Sequence, residues 1–172
     1  VSSAASDVYK RQVFTVDGDG MLRGSHSLML PHADAPWRKQ EIPAGLAFRK
    51  DGKRLYVCAN LSNQLLELDP DSGAVLRKCE VGVAPYEVKI IGTKAYVSNW
   101  GGRRVGPGDL SADAGRGTRV RVDGVRFVAS EGSMSVVDLS GTESGADGAA
   151  SPAAREILTS IHASARAVSP NG

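Results

Sequence analysis

The sequence has little of what usually announces chemistry. Only two cysteines, Cys58 and Cys79, occur in 172 residues, so no disulfide framework is specified. The three histidines, His26, His32 and His162, are scattered without metal-ligand spacing. There is no HExxH, P-loop, paired CxxC or GxSxG motif. No catalytic constellation, metal site or cofactor is therefore expected. Charge of one sign is also lacking: 21 basic residues face 19 acidic ones, a net of +2, which leaves no global field to gather nucleic acid or an anionic membrane. No apolar run approaches the roughly 20 residues of a spanning helix, so no membrane span is expected. Aromatics make up 5% of the chain. The apolar runs are short and β-branched and glycine is frequent, which together favour strands joined by many turns.

What is present is a repeat. Residues 54–69 read RLYVCANLSNQLLELD. The left half recurs as Lys94-Ala95-Tyr96-Val97-Ser98-Asn99 and the right half as Ser135-Val136-Val137-Asp138. Strands are expected at 44–48, 54–59, 64–68 and 74–81, separated by the turns 50–53, 60–63 and 70–73. Four antiparallel strands in about 42 residues fall in the period of propeller blades. The fold class is accordingly all-β, a fragment of a β-propeller of four-stranded antiparallel blades. The next copy has strands at 85–90 and 95–99, then an insertion at 101–131 with seven glycines and six arginines. Its third strand is expected at 133–139, a second insertion at 140–152 and its fourth strand at 155–159. Ahead of the central blade, 13–17 and 21–23 form a hairpin about Gly18-Asp19-Gly20, a turn rather than a calcium loop because spaced oxygen ligands are absent. Residues 32–40, with prolines at 31 and 36, read as a loop. Asp17, Asp69 and Asp138 end strands where a carboxylate accepts turn N–H groups.

The expected organisation is 13–41 as the end of one blade plus a loop, 42–82 as a complete blade, 83–161 as a blade with insertions, and 162–172 as the start of another. Such an array has unpaired edges and is expected to associate and to melt with poor cooperativity. Cys58 and Cys79 fall on the second and fourth strands of one blade. Two strand spacings, about 9.5 Å, exceed the reach of a disulfide, so both thiols are expected to be free and buried. Residues 2–12, SSAASDVYKRQ, read as an in-frame translation of a transposon-based sequencing-library adapter. On that reading residues 1–12 are not native, and the charge count without them is 19 against 18.

Tyr56-Val57-Cys58-Ala59-Asn60 and Tyr96-Val97-Ser98-Asn99, each followed by a hydrophobic-x-hydrophobic-Asp strand, resemble the YVTN-repeat (YncE-like) β-propellers. YVSNWGGRR at 96–104, followed by the Gly-rich insertion and GSMSVVDL at 132–139, is similar to one subgroup. In that subgroup a bacterial, usually exported, seven-bladed propeller precedes a phosphoesterase domain of the alkaline phosphatase superfamily. The pattern departs at Cys58-Ala59, one residue longer than the motif, and at Arg166, where an apolar residue is usual. The resemblance implies a periplasmic or extracellular propeller whose hydrolase chemistry lies on a domain beyond this sequence.

The loop 99–104 is the leading candidate for ligand binding. Asn99 can cap a turn, Trp100 offers a rigid face, Gly101 and Gly102 allow close backbone approach, and Arg103 and Arg104 can clamp a carboxylate or phosphate. The competing reading packs Trp100 between blades and leaves both arginines in solvent. Tyr86 and His162 stand where inner strands open, at the mouth of a channel, with packing as the alternative. Arg116, Arg119, Arg121 and Arg126 lack interleaved aromatics before Phe127, so nucleic acid is not the expected partner. Three functions remain: a non-catalytic scaffold for a ligand or protein partner beside a downstream phosphoesterase, a lactonase-type hydrolase with a channel metal, and a cell-surface adhesive array. The channel positions around Ala44, Tyr86 and Ser164 offer only Glu87 as a carboxylate, which disfavours the second.

Overall fold

A computed structural model describes residues 2–7, 10–36, 38–115, 117–140, 154–163, 167 and 169, with side chains from residue 12 onward. Among them every regular element is a strand. β1 (Ser2–Asp7), β2 (Lys10–Val16) and β3 (Leu22–Met29) form a three-stranded sheet. β4 (His32–Ala35) and β5 (Arg38–Gln40) form a ribbon. β6 (Pro43–Phe48), β7 (Leu55–Ala59), β8 (Gln64–Leu68) and β9 (Val75–Glu80) pair in chain order as the central blade. The second blade pairs β10 (Pro85–Ile91), β11 (Lys94–Asn99), β14 (Gly132–Asp138) and β15 (Arg155–Thr159) in that order. The intervening β12 (Ser111–Asp113) and β13 (Arg119–Arg121) make a separate ribbon. The chain is thus all-β, built of successive four-stranded antiparallel blades of the propeller type.

The central blade shows why β7 is apolar without a break. Side chains alternate across a strand, and here both faces are covered. Leu55, Val57, Ala59, Leu66 and Leu68 pack one face onto Val13 and Leu28 of the first sheet. Tyr56, Cys58, Leu65 and Cys79 pack the other onto Val88, Ala95, Val97 and Val137 of the second blade. Cys58 and Cys79 are buried and not joined in a disulfide, one on each side of Leu65 in the strand register. The inner strands β6 and β10 run so close that a Cβ on Gly45 would lie 2.5 Å from the Glu87 Cα. Only glycine permits that approach.

The strand-ending aspartates act as the sequence indicates. Asp17 Oδ1 accepts the N–H groups of Asp19 (3.1 Å) and Met21 (2.9 Å). Asp69 Oδ1 accepts those of Asp71 and Ser72, and Asp138 Oδ1 that of Ser140. One expectation needs correction. Residues 32–40 are not an irregular loop but the β4–β5 ribbon, with His32 opposite Gln40 and Ala35 opposite Arg38. Polar and small residues satisfy their backbone groups by pairing across the Pro36 turn, with only Ala33 and Ala35, half-buried between exposed His32 and Asp34, as an alternation to reveal it. Residues 2–12 contribute β1 and the start of β2, from Ser2 opposite Thr15 to Asp7 opposite Lys10. A sheet edge is extended by backbone bonds alone, so strand formation is neutral on the origin of that segment. Most of the second insertion (141–152) and most of the copy expected from His162, including Ser164 and Arg166, lie outside the described residues.

Candidate functional site

The candidate site forms where β11 leaves the second blade. The Trp100 N–H donates to Ala84 O (3.1 Å), the Gly101 N–H to Val83 O (2.9 Å) and the Val83 N–H to Gly102 O (2.7 Å). This lashes 99–102 to the segment joining the two blades. Both glycines are demanded by packing. A Cβ on Gly101 would sit 2.7 Å from Val83 Cγ1 and 2.9 Å from Val120 Cγ1, and Gly102 has φ +76° with the Glu131 backbone against it. The β12–β13 ribbon folds back here, and Val83, Ala84, Val120 and Val122 close a small core that includes Trp100, Ala112 and Ala129. The Trp100 ring stacks on His162, with centroids 4.2 Å apart and planes 20° apart.

A cavity of about 330 Å³ opens beside this core, lined by Ile42, Leu61, Ala84, Tyr86 and Trp100 and roofed by the ribbon tip at Ala114, Gly115 and Thr118. Tyr86, the extra residue of the bulge that opens β10, keeps 52% of its surface exposed. The wall is braced from below by the turn 60–63. Asn60 Nδ2 donates to Pro85 O (3.1 Å) and Asn63 Oδ1 accepts the Ala84 N–H (2.9 Å). Buried Glu41 accepts the Leu61 N–H (2.8 Å), the Ser62 N–H (3.1 Å) and the Ser62 hydroxyl (2.5 Å). That carboxylate also borders a second, polar cavity of about 270 Å³, with His32, Asp34, Gln64 and Lys78.

Tyr86 and Trp100 therefore meet at one cavity, and His162 reaches it through the stack on Trp100. The remaining candidates lie elsewhere. Asn99 is wholly buried in the seam between the blades. Its Nδ2 donates to Ser133 Oγ (3.0 Å), Ser135 Oγ (2.7 Å) and Glu156 Oε2 (3.4 Å), while Ser135 Oγ accepts the Gly82 N–H (3.0 Å). Its Oδ1 has no hydrogen-bond partner among the described residues. Arg103 forms a two-point pair with Glu131 through Nε (2.8 Å) and NH2 (3.1 Å), and its guanidinium holds the Glu131 carboxyl below the usual range. Arg104 Nε donates to Val81 O (2.8 Å) and NH2 to Asn63 O (2.5 Å), with Glu80 as its ion-pair partner. Arg103 thus ties the two ends of the insertion to each other, and Arg104 clamps its root onto the central blade. Of the insertion's other arginines, Arg119 pairs with Asp113 and Arg121 with Asp109, while Arg116 lies outside the described residues.

Sequence reasoning missed Ile42, Leu61 and the 114–118 tip. The first two look like ordinary blade residues, and only the fold brings the tip of a glycine-rich insertion over them. Among the described residues no three His, Cys, Asp or Glu side chains converge as metal ligands. The chemistry on offer at the cavity is an apolar and aromatic wall beside the ribbon tip.

Sheets of this order, with both faces of the central blade buried, define a propeller-type chain. No family model matches the sequence, and no curated protein matches it. Solved structures resemble it in shape. A provisionally named 6-phosphogluconolactonase from Bacteroides uniformis aligns over 98% of this chain and 60% of its own, at 17% identity and TM-score 0.47. Its counterpart from Bacteroides fragilis aligns over 95% and 55%, at 18% identity and TM-score 0.45. Hydrazine synthase of Kuenenia stuttgartiensis aligns over 76% and 40%, at 22% identity and TM-score 0.41. The chain therefore spans 60% or less of each of these proteins' length.

Proposed function

We propose that this chain is part of a non-catalytic β-propeller scaffold that receives a small ligand or a partner's side chain in the Tyr86–Trp100 cavity. The observation that carries the reading is the insertion itself. Arg103, Arg104 and the Trp100 core fix its root, and its tip roofs a cavity that has two aromatic residues in its wall. Ligand sites are typically concave, largely apolar and preformed in this way. The resemblance of its repeats extends the proposal: a YVTN-type propeller of an exported bacterial protein, linked to a phosphoesterase domain, with residues 1–12 of adapter origin. The blade division at 42–82 and 83–161 belongs to the same proposal.

The test is a panel of sugar phosphates, carboxylates and short peptides titrated against the protein, followed by tryptophan fluorescence and calorimetry. Saturable binding that Tyr86→Ala weakens at least tenfold supports the reading, and binding indifferent to Tyr86 and Trp100 refutes it. The same samples should be incubated with 6-phosphogluconolactone. Turnover there would replace the scaffold with a lactonase-type hydrolase.

A further inference from the structure

The cavity between the β4–β5 ribbon and the central blade shares no lining residue with the one at Tyr86 and differs from it in carrying charge. Its volume, about 270 Å³, falls just below the roughly 300–1,000 Å³ of sites for drug-sized ligands, so it suits a small molecule. The group that matters most is Glu41, which is only 3% exposed. Its Oε1 accepts the N–H groups of Ile42 and Leu61, both at 2.8 Å, and its Oε2 those of the Ser62 N–H and hydroxyl. Four donors occupy all four lone-pair positions of the carboxylate, yet none of them is a cation. Among the described residues Glu41 has no ion-pair partner. Buried charges are ordinarily paired, and this one leaves a whole negative charge beside the cavity.

Asp34 stands at the same end, because its N–H donates to Ser62 Oγ (2.9 Å), the hydroxyl that donates to Glu41. The opposite sign enters from the blade. Gln64 and Lys78 are on neighbouring strands, with Gln64 opposite Glu80 and Leu66 opposite Lys78. Lys78 is therefore set two residues, about 7 Å, further from the turn that Glu41 caps. Asp34 and Lys78 are exposed, and among the described residues their charged groups pair neither with each other nor with any other side chain. Gln64 Nε2 donates to Glu80 (2.6 Å), which leaves its amide oxygen as an acceptor. Opposite charges that line one cavity without meeting leave a gap for a molecule that carries both.

We propose that this cavity binds a small amino acid in its zwitterionic form. The ligand's ammonium donates to the Asp34 carboxylate and offsets the Glu41 charge through space, since Glu41 has no lone pair left for direct contact. The ligand's carboxylate pairs with the Lys78 ammonium. A bare calcium ion needs six or more oxygen ligands, and Asp34 offers the one unengaged carboxylate among the described lining residues. A simple anion would meet two negative charges for one lysine.

Calorimetric titration of the full chain at low ionic strength tests this. Glycine, β-alanine and 4-aminobutyrate are compared with butylamine and butyrate, which carry one charge each, and with calcium chloride. The expected result is saturable binding of at least one amino acid, about tenfold or more tighter than any of the three controls. Asp34→Asn and Lys78→Met should each weaken it about tenfold or more. Both positions are exposed, so the melting temperature should stay within a degree or so of the parent's. Tyr86→Ala should leave this binding unchanged, which separates it from the other cavity. The proposal is overturned if none of the three amino acids binds saturably, or if binding is indifferent to Asp34→Asn or to Lys78→Met. Butylamine or calcium binding as tightly as the amino acids, or loss of amino-acid binding in Tyr86→Ala, overturns it equally.

Discussion

At the scale of single residues, the contacts between inner strands are the least forgiving. Gly45→Ala would push a methyl to 2.5 Å from Glu87 Cα and 2.6 Å from Tyr86 O, both backbone atoms. We expect a loss of about 2–3 kcal/mol in denaturant unfolding, since neither strand can yield without breaking its own ladder. Tyr56 offers a pH test. Burial, and then the neighbouring Glu67 charge, push its phenol up to about 12. The phenol donates to Glu67 Oε1 at 3.3 Å. A group whose folded value is raised stabilises fully below its unfolded value of about 10 and loses that contribution as pH climbs toward 12. Stability should therefore fall between pH 10 and 12, and Tyr56→Phe should remove that part of the fall while costing about 0.5–1.5 kcal/mol at neutral pH. Arg77 remains paired with Glu67 at 2.8 Å in that variant, so the carboxylate is not left bare.

At the scale of elements, the central strands and the turns answer to different forces. Leu66 is buried among Leu55, Val57 and Leu68, and Leu66→Ala should cost about 2–5 kcal/mol by leaving a cavity between blade and first sheet. The turns respond instead to acid. Asp17 is held low by the Arg23 guanidinium, Asp69 by the Ser72 N–H, Asp138 by the Ser140 hydroxyl and Asp51 by Arg49, the last to about 2. A depressed carboxylate stabilises above its unfolded value of about 4, and the effect vanishes as pH falls through the folded value. The melting temperature should thus hold from neutral pH to about 5 and decline from about 4 to 2. Asp51→Asn should flatten that decline. These turns were legible in the sequence because an Asx turn is made within four residues. The β4–β5 ribbon was not, because the alternation on β4 is carried only by the small residues Ala33 and Ala35 and β5 is polar throughout.

At the scale of the whole molecule, the insertion stands apart from the blades that carry it. β11 and β14 pair without interruption from Lys94 opposite Asp138 to Asn99 opposite Ser133, so the 33 intervening residues are not needed to set the register. Replacing 100–132 with the short turn sequence of 60–63 should keep the β-sheet circular dichroism and the seam between blades, while abolishing binding at the Tyr86 cavity. Collapse of both blades in that variant would show the insertion to be structural. The order of residues alone was enough for the repeat, the four strands of each blade to within about two residues, the strand-ending aspartates and the two buried thiols that form no disulfide. Each of these rests on local alternation, on turn chemistry or on a period of about 42 residues. It took the folded chain to make Arg103 and Arg104 internal clamps, to bury Asn99 in the seam, and to bring Tyr86 and Trp100 to one cavity. Those outcomes depend on contacts between segments far apart in the chain, where a glycine-rich insertion folds back over the blades. No local period records that return path; packing against Val83 and Ala84 fixes it.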